Sequence, residues 1–372
     1  MRSFLATLVV ALIPIQAQTI GIDSHIDTLQ RVLMDNADLT QRTTRGHVDF
    51  PRLREGGVNA PFFALWVPTY YKGADAVRRT LDLRDAMQRV LDAHPDQIAL
   101  ALNAPDVERI TKSGKIAAIL TVEGGHQIDN DLAVLRIYYN LGIRSMTLVH
   151  FTNNNWADSS TDKPVHNGLT AFGKEVVREM NRLGMIVDIS HVSDKTFYDT
   201  LAVTTKPMIA SHSSCRALSP VPRNMTDDMI RALAKNGGVI GINFGEGFLN
   251  PKDAEMLMHA VRKTDTAPAK EGPVLDKYTK DQLEKELATK VPSFGTLDDA
   301  VKHIDHAVKI AGIDHVGIGS DFDGISAAPK GLEDISKMPA LAAALRQKGY
   351  TEQDIRKIFG GNTLRVLREV TH

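Results

Sequence analysis

The chain has 372 residues, 43% of them hydrophobic, enough to fill one large core, and its 44 Lys and Arg nearly balance 45 Asp and Glu. That balance lacks the basic excess that nucleic-acid binding requires, and a single cysteine, Cys215, excludes an intrachain disulfide. After the first residues no apolar stretch is long enough to span a bilayer, and no linker, low-complexity tract or repeat divides the chain.

The N-terminal segment, residues 1–17, has an early positive charge at Arg2, a short apolar run and a small residue at Ala17. It reads as a cleavable export signal cut after Ala17, which leaves residues 18–372 as one domain in the periplasm or outside the cell. No cysteine follows the run to take a lipid, and the C-terminal residues 368–372 do not resemble an anchor tail. Short β-branched runs then recur at residues 19–22, 58–67, 116–122, 145–149, 185–189, 207–210, 239–243 and 316–319. Amphipathic helical patterns lie between several of them, as at 76–93, at 168–183 ending on Gly184, and at 226–236 ending on Gly237. Eight strand and helix units in alternation predict an α/β fold of the (β/α)8 barrel type. Residues 248–295, charged and containing Pro251, Pro268, Pro273 and Pro292, read as an insertion between the last two strands.

In such a barrel the C-terminal strand ends share one mouth. The residues at those ends are His25 and Asp27, Glu123, His150, His191, His212 and Asp321. His25 and Asp27 are two apart and share a face on extended backbone. Three imidazoles and two carboxylates exceed what one zinc takes from protein, so two metals sharing a ligand are expected, and two metals point to hydrolysis. His25 and Asp27 would bind one ion, His191 and His212 the other, and Glu123 would bridge, with Gly124 and Gly125 letting the backbone turn away. The ligand types favour zinc and leave manganese and cobalt open. Asp321 is placed to carry a proton between water and leaving group, and His150 to polarise a carbonyl or stabilise an oxyanion. Arg223, on a proline-stiffened loop, offers a planar fork for a substrate carboxylate.

Other residues carry blander expectations. Asp323 stabilises a turn before Gly324, and Cys215 is a small packing residue, although His212 nearby keeps a thiol ligand or nucleophile conceivable. His303 and His306, three apart on the predicted helix 297–311, belong to the outer ring in a solvated or capping role. His47, His94, His126, His166 and His315 show no ligand geometry, and His126 is the closest of them to Glu123.

The chain resembles the membrane (renal-type) dipeptidases, zinc peptidases of the amidohydrolase superfamily, from about Ile22 to Val370. The resemblance rests on Asp23-Ser24-His25-Ile26-Asp27, residues 50–58, Val122-Glu123-Gly124-Gly125-His126, Asn155-Trp156-Ala157-Asp158, Asp188-Ile189-Ser190-His191, Ser211-His212-Ser213, Pro222-Arg223-Asn224, residues 320–324, 331–335 and 361–366. It implies two zinc ions held by His25, Asp27, Glu123, His191 and His212, substrate contacts from His150 and Arg223, and proton transfer by Asp321. It further implies dipeptide hydrolysis that tolerates a C-terminal D-residue, β-lactam opening in some members, and a homodimer. Ser24 and Ile26 replace a glycine and an asparagine usual in the first motif, which bears on the hydrogen bonding around the ligands. Two rival readings stand beside this one. The first is another binuclear amidohydrolase acting on a cyclic amide, lactone or phosphoester; the second is an exported binding protein that captures peptide or metal without turnover.

Overall fold

The computed structural model describes residues 20–254, 294–325 and 327–372. The expected signal at 1–17 and most of the expected insertion at 248–295 lie outside these residues. Among the described residues there are eight parallel strands: β1 Phe62–Trp66, β2 Ile98–Leu100, β3 Ile116–Glu123, β4 Ile143–Thr147, β5 Ile186–Asp188, β6 Ile209–Ser213, β7 Val239–Ile242 and β8 Val316–Ile318. They pair in the order β1, β3, β4, β5, β6, β7, β8, with β2 attached to β3 off that path.

The ring is completed by a segment that is not a regular strand. On one side Ser24 N–H donates to Ile318 O and Asp27 N–H to Phe322 O; on the other, Ile26 N–H donates to Phe62 O and Ala64 N–H to Ile26 O. Residues 23–27 are thus the missing stave between β8 and β1. The sequence put this stave at 19–22, several residues early. The shift follows from Gly21, whose carbonyl accepts from Asn59 and Ala60, and from the alternating polar residues Asp23, His25 and Asp27, which reduce the ladder to single bridges. The run 58–67 likewise begins its strand only at Phe62, because Pro61 has no N–H to donate. The short β2 escaped the sequence reading, since three residues carry too little alternation to mark a strand.

Helices cover the outside of the ring and end where their residues dictate. The helix Ala74–Ala93 follows β1. The helix Ala171–Leu183 is capped by Thr170, whose side chain accepts from Gly173 N–H, and stops at Gly184 in the left-handed conformation. Thr226 caps Asp227–Lys235 in the same way, and a reciprocal capping box of Thr296 and Asp299 starts Leu297–Ala311. Inside the ring Phe62, Ile119, Ile186, Ile209 and Val239, one from each of five strands, pack in one cluster with Leu364, Leu367 and Val370 of the C-terminal helix Asn362–Val370. Each is buried, and such burial stabilises by about 1.5–3 kcal/mol per side chain. Above that layer on β3, Thr121 and then Glu123 follow Ile119 on the same face, so the inner column turns polar as it reaches the mouth.

Candidate metal centre

Glu123, the last residue of β3, stands at the middle of the mouth, and the other predicted residues surround it. Its Oε2 is 3.4 Å from His25 Nε2, which is also 3.4 Å from Asp27 Oδ2. Its Oε1 is 3.0 Å from His191 Nε2, 3.3 Å from His212 Nε2 and 3.6 Å from His150 Nε2. Ligands about 2.1 Å from a tetrahedral ion are roughly 3.4 Å from one another, so these spacings fit donors arranged around cations. Three overlapping sets of ligand atoms have every member within 4.8 Å of the rest: His25, Glu123 and His212; Glu123, His150 and His191; His25, Asp27 and Asp321. All five expected ligands are therefore together. The geometry also draws in His150 and Asp321, to which the sequence gave other roles.

Local backbone shape aims these side chains. His191, three residues past β5, has φ 72°, and Asp321, three past β8, has φ 64°; both are in the left-handed region that side chains other than glycine avoid. His212 lies within β6, inside the stretch Ala210–Ser213 over which the register shifts, which lets Ser211 and His212 reach different neighbours. At Gly324 a Cβ would stand 2.2 Å from Asp27 Oδ2 and 2.6 Å from Asp321 Oδ1, so only glycine leaves both carboxylates where they are.

The charges are those of a cation site. Burial pushes His191 and His212 well below the ordinary imidazole range, which leaves their nitrogen lone pairs available. Burial acts the same way on His25, but the Glu123 and Asp27 carboxylates overcome it and hold it well above. Burial would raise Glu123, yet His25 and His150 keep it well below the usual carboxylate range. Asp27 is pushed up to about 6 by burial, and Asp321 is held well above the usual carboxylate range by burial and by Asp27 and Glu123, against the pull of His25. Three crowded carboxylates, one with a buried oxygen, Asp27 Oδ1, that has no hydrogen-bond partner among the described residues, are relieved by divalent cations, so the donor set fits the expected metal.

Arg223 is buried beside the cluster. Its Nη2 donates to His212 O at 2.9 Å and its Nη1 to Ser213 Oγ at 3.1 Å, while the guanidinium lies over the Phe248 ring at 5.1 Å. Burial brings it down to about 10, and Nε has no hydrogen-bond partner among the described residues. A planar cation with a spare donor suits an anionic substrate group.

Several residues escaped the sequence reading. Asn243, just past β7, donates from Nδ2 to Asp321 Oδ2 at 3.0 Å. Ser159 Oγ donates to the carbonyl of His150 at 2.6 Å, which ties the Asn155-Trp156-Ala157-Asp158 motif to the site. Asp188 accepts from Thr147, Ser190 and Ser211. Asp323 does occupy a turn, at φ 69°, but its buried carboxylate also binds Arg31, Thr28 and the backbone of His47. Cys215 is buried, with its N–H bonded to His303 Nδ1 and its thiol to His303 O.

His303 lies on a helix of the outer ring, as expected, but it is not solvated. It is buried, and because Nδ1 accepts from Cys215, Nε2 carries the proton and donates to Leu249 O at 3.1 Å. The reason is periodic: on its helix His303 shares a face with the buried Ala300, Ile304 and Ala307. His306 pairs instead with Asp227 in the first turn of the neighbouring helix. None of the three candidate ligand sets contains His47, His94, His126, His166 or His315.

The chain has relatives among known proteins. A family profile described as membrane dipeptidase (peptidase family M19) matches residues 11–372. Dipeptidase tcpJ of Claviceps purpurea is 39% identical over 335 residues, which cover 87% of this chain and 69% of that protein. An uncharacterized dipeptidase of Schizosaccharomyces pombe is 38% identical over 337 residues, 87% of this chain and 72% of that protein. A metallo peptidase from Rhodobacter sphaeroides, solved with a phosphinate mimic of the dipeptide L-Ala-D-Ala, superposes with a TM-score of 0.78 at 26% identity, covering 95% of this chain and 99% of that one. The probable dipeptidase PvdM from Pseudomonas aeruginosa superposes at 0.79 and 26% identity, covering 95% and 96%.

Proposed function

The chain belongs to the membrane dipeptidase family, peptidase family M19, and is a metallo-dipeptidase; we propose that it works with two zinc ions on dipeptides that include those with a C-terminal D-residue. The observation that carries this reading is the Glu123 carboxylate, whose two oxygens face different donors: Oε2 faces His25, and Oε1 faces His191 and His212. A carboxylate so placed could hold two cations, with His25 on one side and His191 and His212 on the other. Asp27 completes the first set beside His25. An ion pair held there would acidify a shared water and so supply the nucleophile near neutral pH.

The protein's own groups do the remaining work. Arg223 grips the free carboxylate of the substrate, which sets the scissile carbonyl one residue away and limits the substrate to two residues. His150 donates toward the carbonyl oxygen as it gains charge. Asp321, held by Asn243, takes a proton from the attacking water and delivers it to the departing amine nitrogen as the C–N bond breaks. Tolerance of a D-residue draws support from the relative bound to an L-Ala-D-Ala mimic. In this reading the segment 1–17 directs export, the mature enzyme acts in the periplasm or outside the cell, and it assembles as a homodimer.

The test combines metal analysis with a panel of L,L and L,D dipeptides and matched tripeptides, read as released amine. Activity is expected to vanish on chelation, to return with zinc up to two ions per chain, and to be confined to dipeptides. Full activity after prolonged chelation, with no metal left in the protein, overturns the reading. Intact mass of the exported protein shows whether cleavage follows Ala17, and sedimentation shows whether the chain pairs.

A further inference from the structure

Of the three imidazoles assigned to the cations, His25, His191 and His212, two have an Nδ1 that is buried without a hydrogen-bond partner among the described residues. His212 differs: its Nδ1 is 2.7 Å from Ser211 Oγ. That hydroxyl has one proton, and it gives it to Asp188 Oδ2 at 2.5 Å, a shorter and charge-assisted bond than the alternative to Ser190 Oγ at 3.4 Å. With its proton spent, Ser211 Oγ can only accept from His212 Nδ1–H. Asp188 is fixed in turn by the backbone N–H groups of Ser190 and Ser211 on Oδ1 and by Thr147 Oγ1 on Oδ2. All of these residues are buried.

We infer that Asp188, Ser211 and His212 form a one-way hydrogen-bond relay that locks His212 in the tautomer with its Nε2 lone pair facing Glu123 and the cation site, so that Asp188 and Ser211 are positioning residues for one of the two ions. The inference deepens the metal reading above and rests on it. A ligand imidazole commonly donates its second nitrogen to a carboxylate, and losing such a partner costs about ten- to a hundredfold in metal affinity. Here a serine is inserted between the two, and this makes the direction of the relay testable.

The direction predicts an unusual order among variants. Ser211→Ala removes the acceptor of Nδ1–H but leaves His212 free to adopt either tautomer. Asp188→Asn is worse. The two backbone N–H groups hold the amide oxygen at the Oδ1 position, and the amide nitrogen then donates to Ser211 Oγ. The serine proton turns toward His212 Nδ1, which moves the imidazole proton to Nε2 and blocks the lone pair. Adding Ser211→Ala to Asp188→Asn breaks this reversed relay, so the double variant should recover affinity relative to Asp188→Asn alone.

The experiment is titration of metal-stripped full-length protein with Zn2+ against a competing chelating indicator, with circular dichroism confirming the fold of each variant. The expected result is about tenfold weaker binding at one of two sites for S211A, about a hundredfold for D188N, and a return to the S211A level in the double variant. A double variant as weak as D188N or weaker, the pattern of plain structural damage, overturns the relay, as does an S211A variant with two unaltered sites. If the wild-type protein itself binds no zinc, the metal reading and the relay fall together. Normal wild-type binding with unaffected variants removes the relay alone.

Discussion

Replacing Gly324 with alanine tests whether Asp27 and Asp321 act as a matched pair. The added Cβ would stand 2.2 Å from Asp27 Oδ2 and 2.6 Å from Asp321 Oδ1. Ordinary contact begins near 3.4–3.5 Å, so the two oxygens must retreat by about 1.2 and 0.8 Å. Asp27 is buried and Asp321 half-buried, held by Asn243, and a misplacement of about 1 Å at a reacting centre costs on the order of a hundredfold. The expected kcat/KM on L-Ala-D-Ala is therefore about a hundredfold lower, equivalent to about 2.7 kcal/mol of barrier. Overpacking should take no more than about 1–3 kcal/mol from stability, leaving the protein folded. Steady-state kinetics, zinc content and Tm measured on one preparation separate these effects. A G324A enzyme within threefold of wild type would show that the two carboxylates need no such placement, and their assigned roles would have to be abandoned.

Arg223→Ala should raise KM by about ten- to a hundredfold, the value of a charge-assisted carboxylate bond, with zinc content unchanged; loss of zinc would make the residue structural. Asp321→Asn should lower kcat by about 10²- to 10⁴-fold with KM within a few-fold, as expected for a lost proton carrier; a normal kcat at full metal content contradicts that role. His303 bears on acid stability. Burial depresses it from 6.5 to about 4, so the folded state resists a proton that the unfolded state accepts. Its contribution is complete above pH 6.5 and is lost as pH falls toward 4, by as much as about 3 kcal/mol. Urea unfolding across that range should show a shallower acid slope for His303→Gln, which can keep one donor and one acceptor; an unchanged slope assigns the acid sensitivity elsewhere.

The cluster around Glu123 was legible because each member ends an apolar run or, for His25 and Asp27, repeats at the two-residue period of extended chain. Burial of His303 was also within reach, since Ala300, Ile304 and Ala307 mark its face. Other features are not written in any local pattern. The role of Asp188 depends on Thr147 from β4 and Ser211 from β6, which only the closed sheet brings to it. Asn243 is an ordinary strand-end amide until Asp321 arrives from the next strand. The need for glycine at 324 comes from Asp27, almost three hundred residues earlier. The first stave is hard to place because Asp23, His25 and Asp27 interrupt its apolar run, Asp23 accepting from the backbone of His25 and Ser320 while His25 and Asp27 face the mouth.

That sparse stave has a bearing on biosynthesis. Ser24 is hydrogen-bonded through its hydroxyl to Ile318, 294 positions later, and Asp27 to Phe322. A nascent polypeptide emerging from the ribosome cannot make these bonds until nearly all of it has been translated. Closure of the mouth is thus a late step. A fragment that stops short of residue 321 lacks both the partners of this stave and the carboxylate of Asp321, so the mouth is completed only when the far end of the chain docks against its beginning.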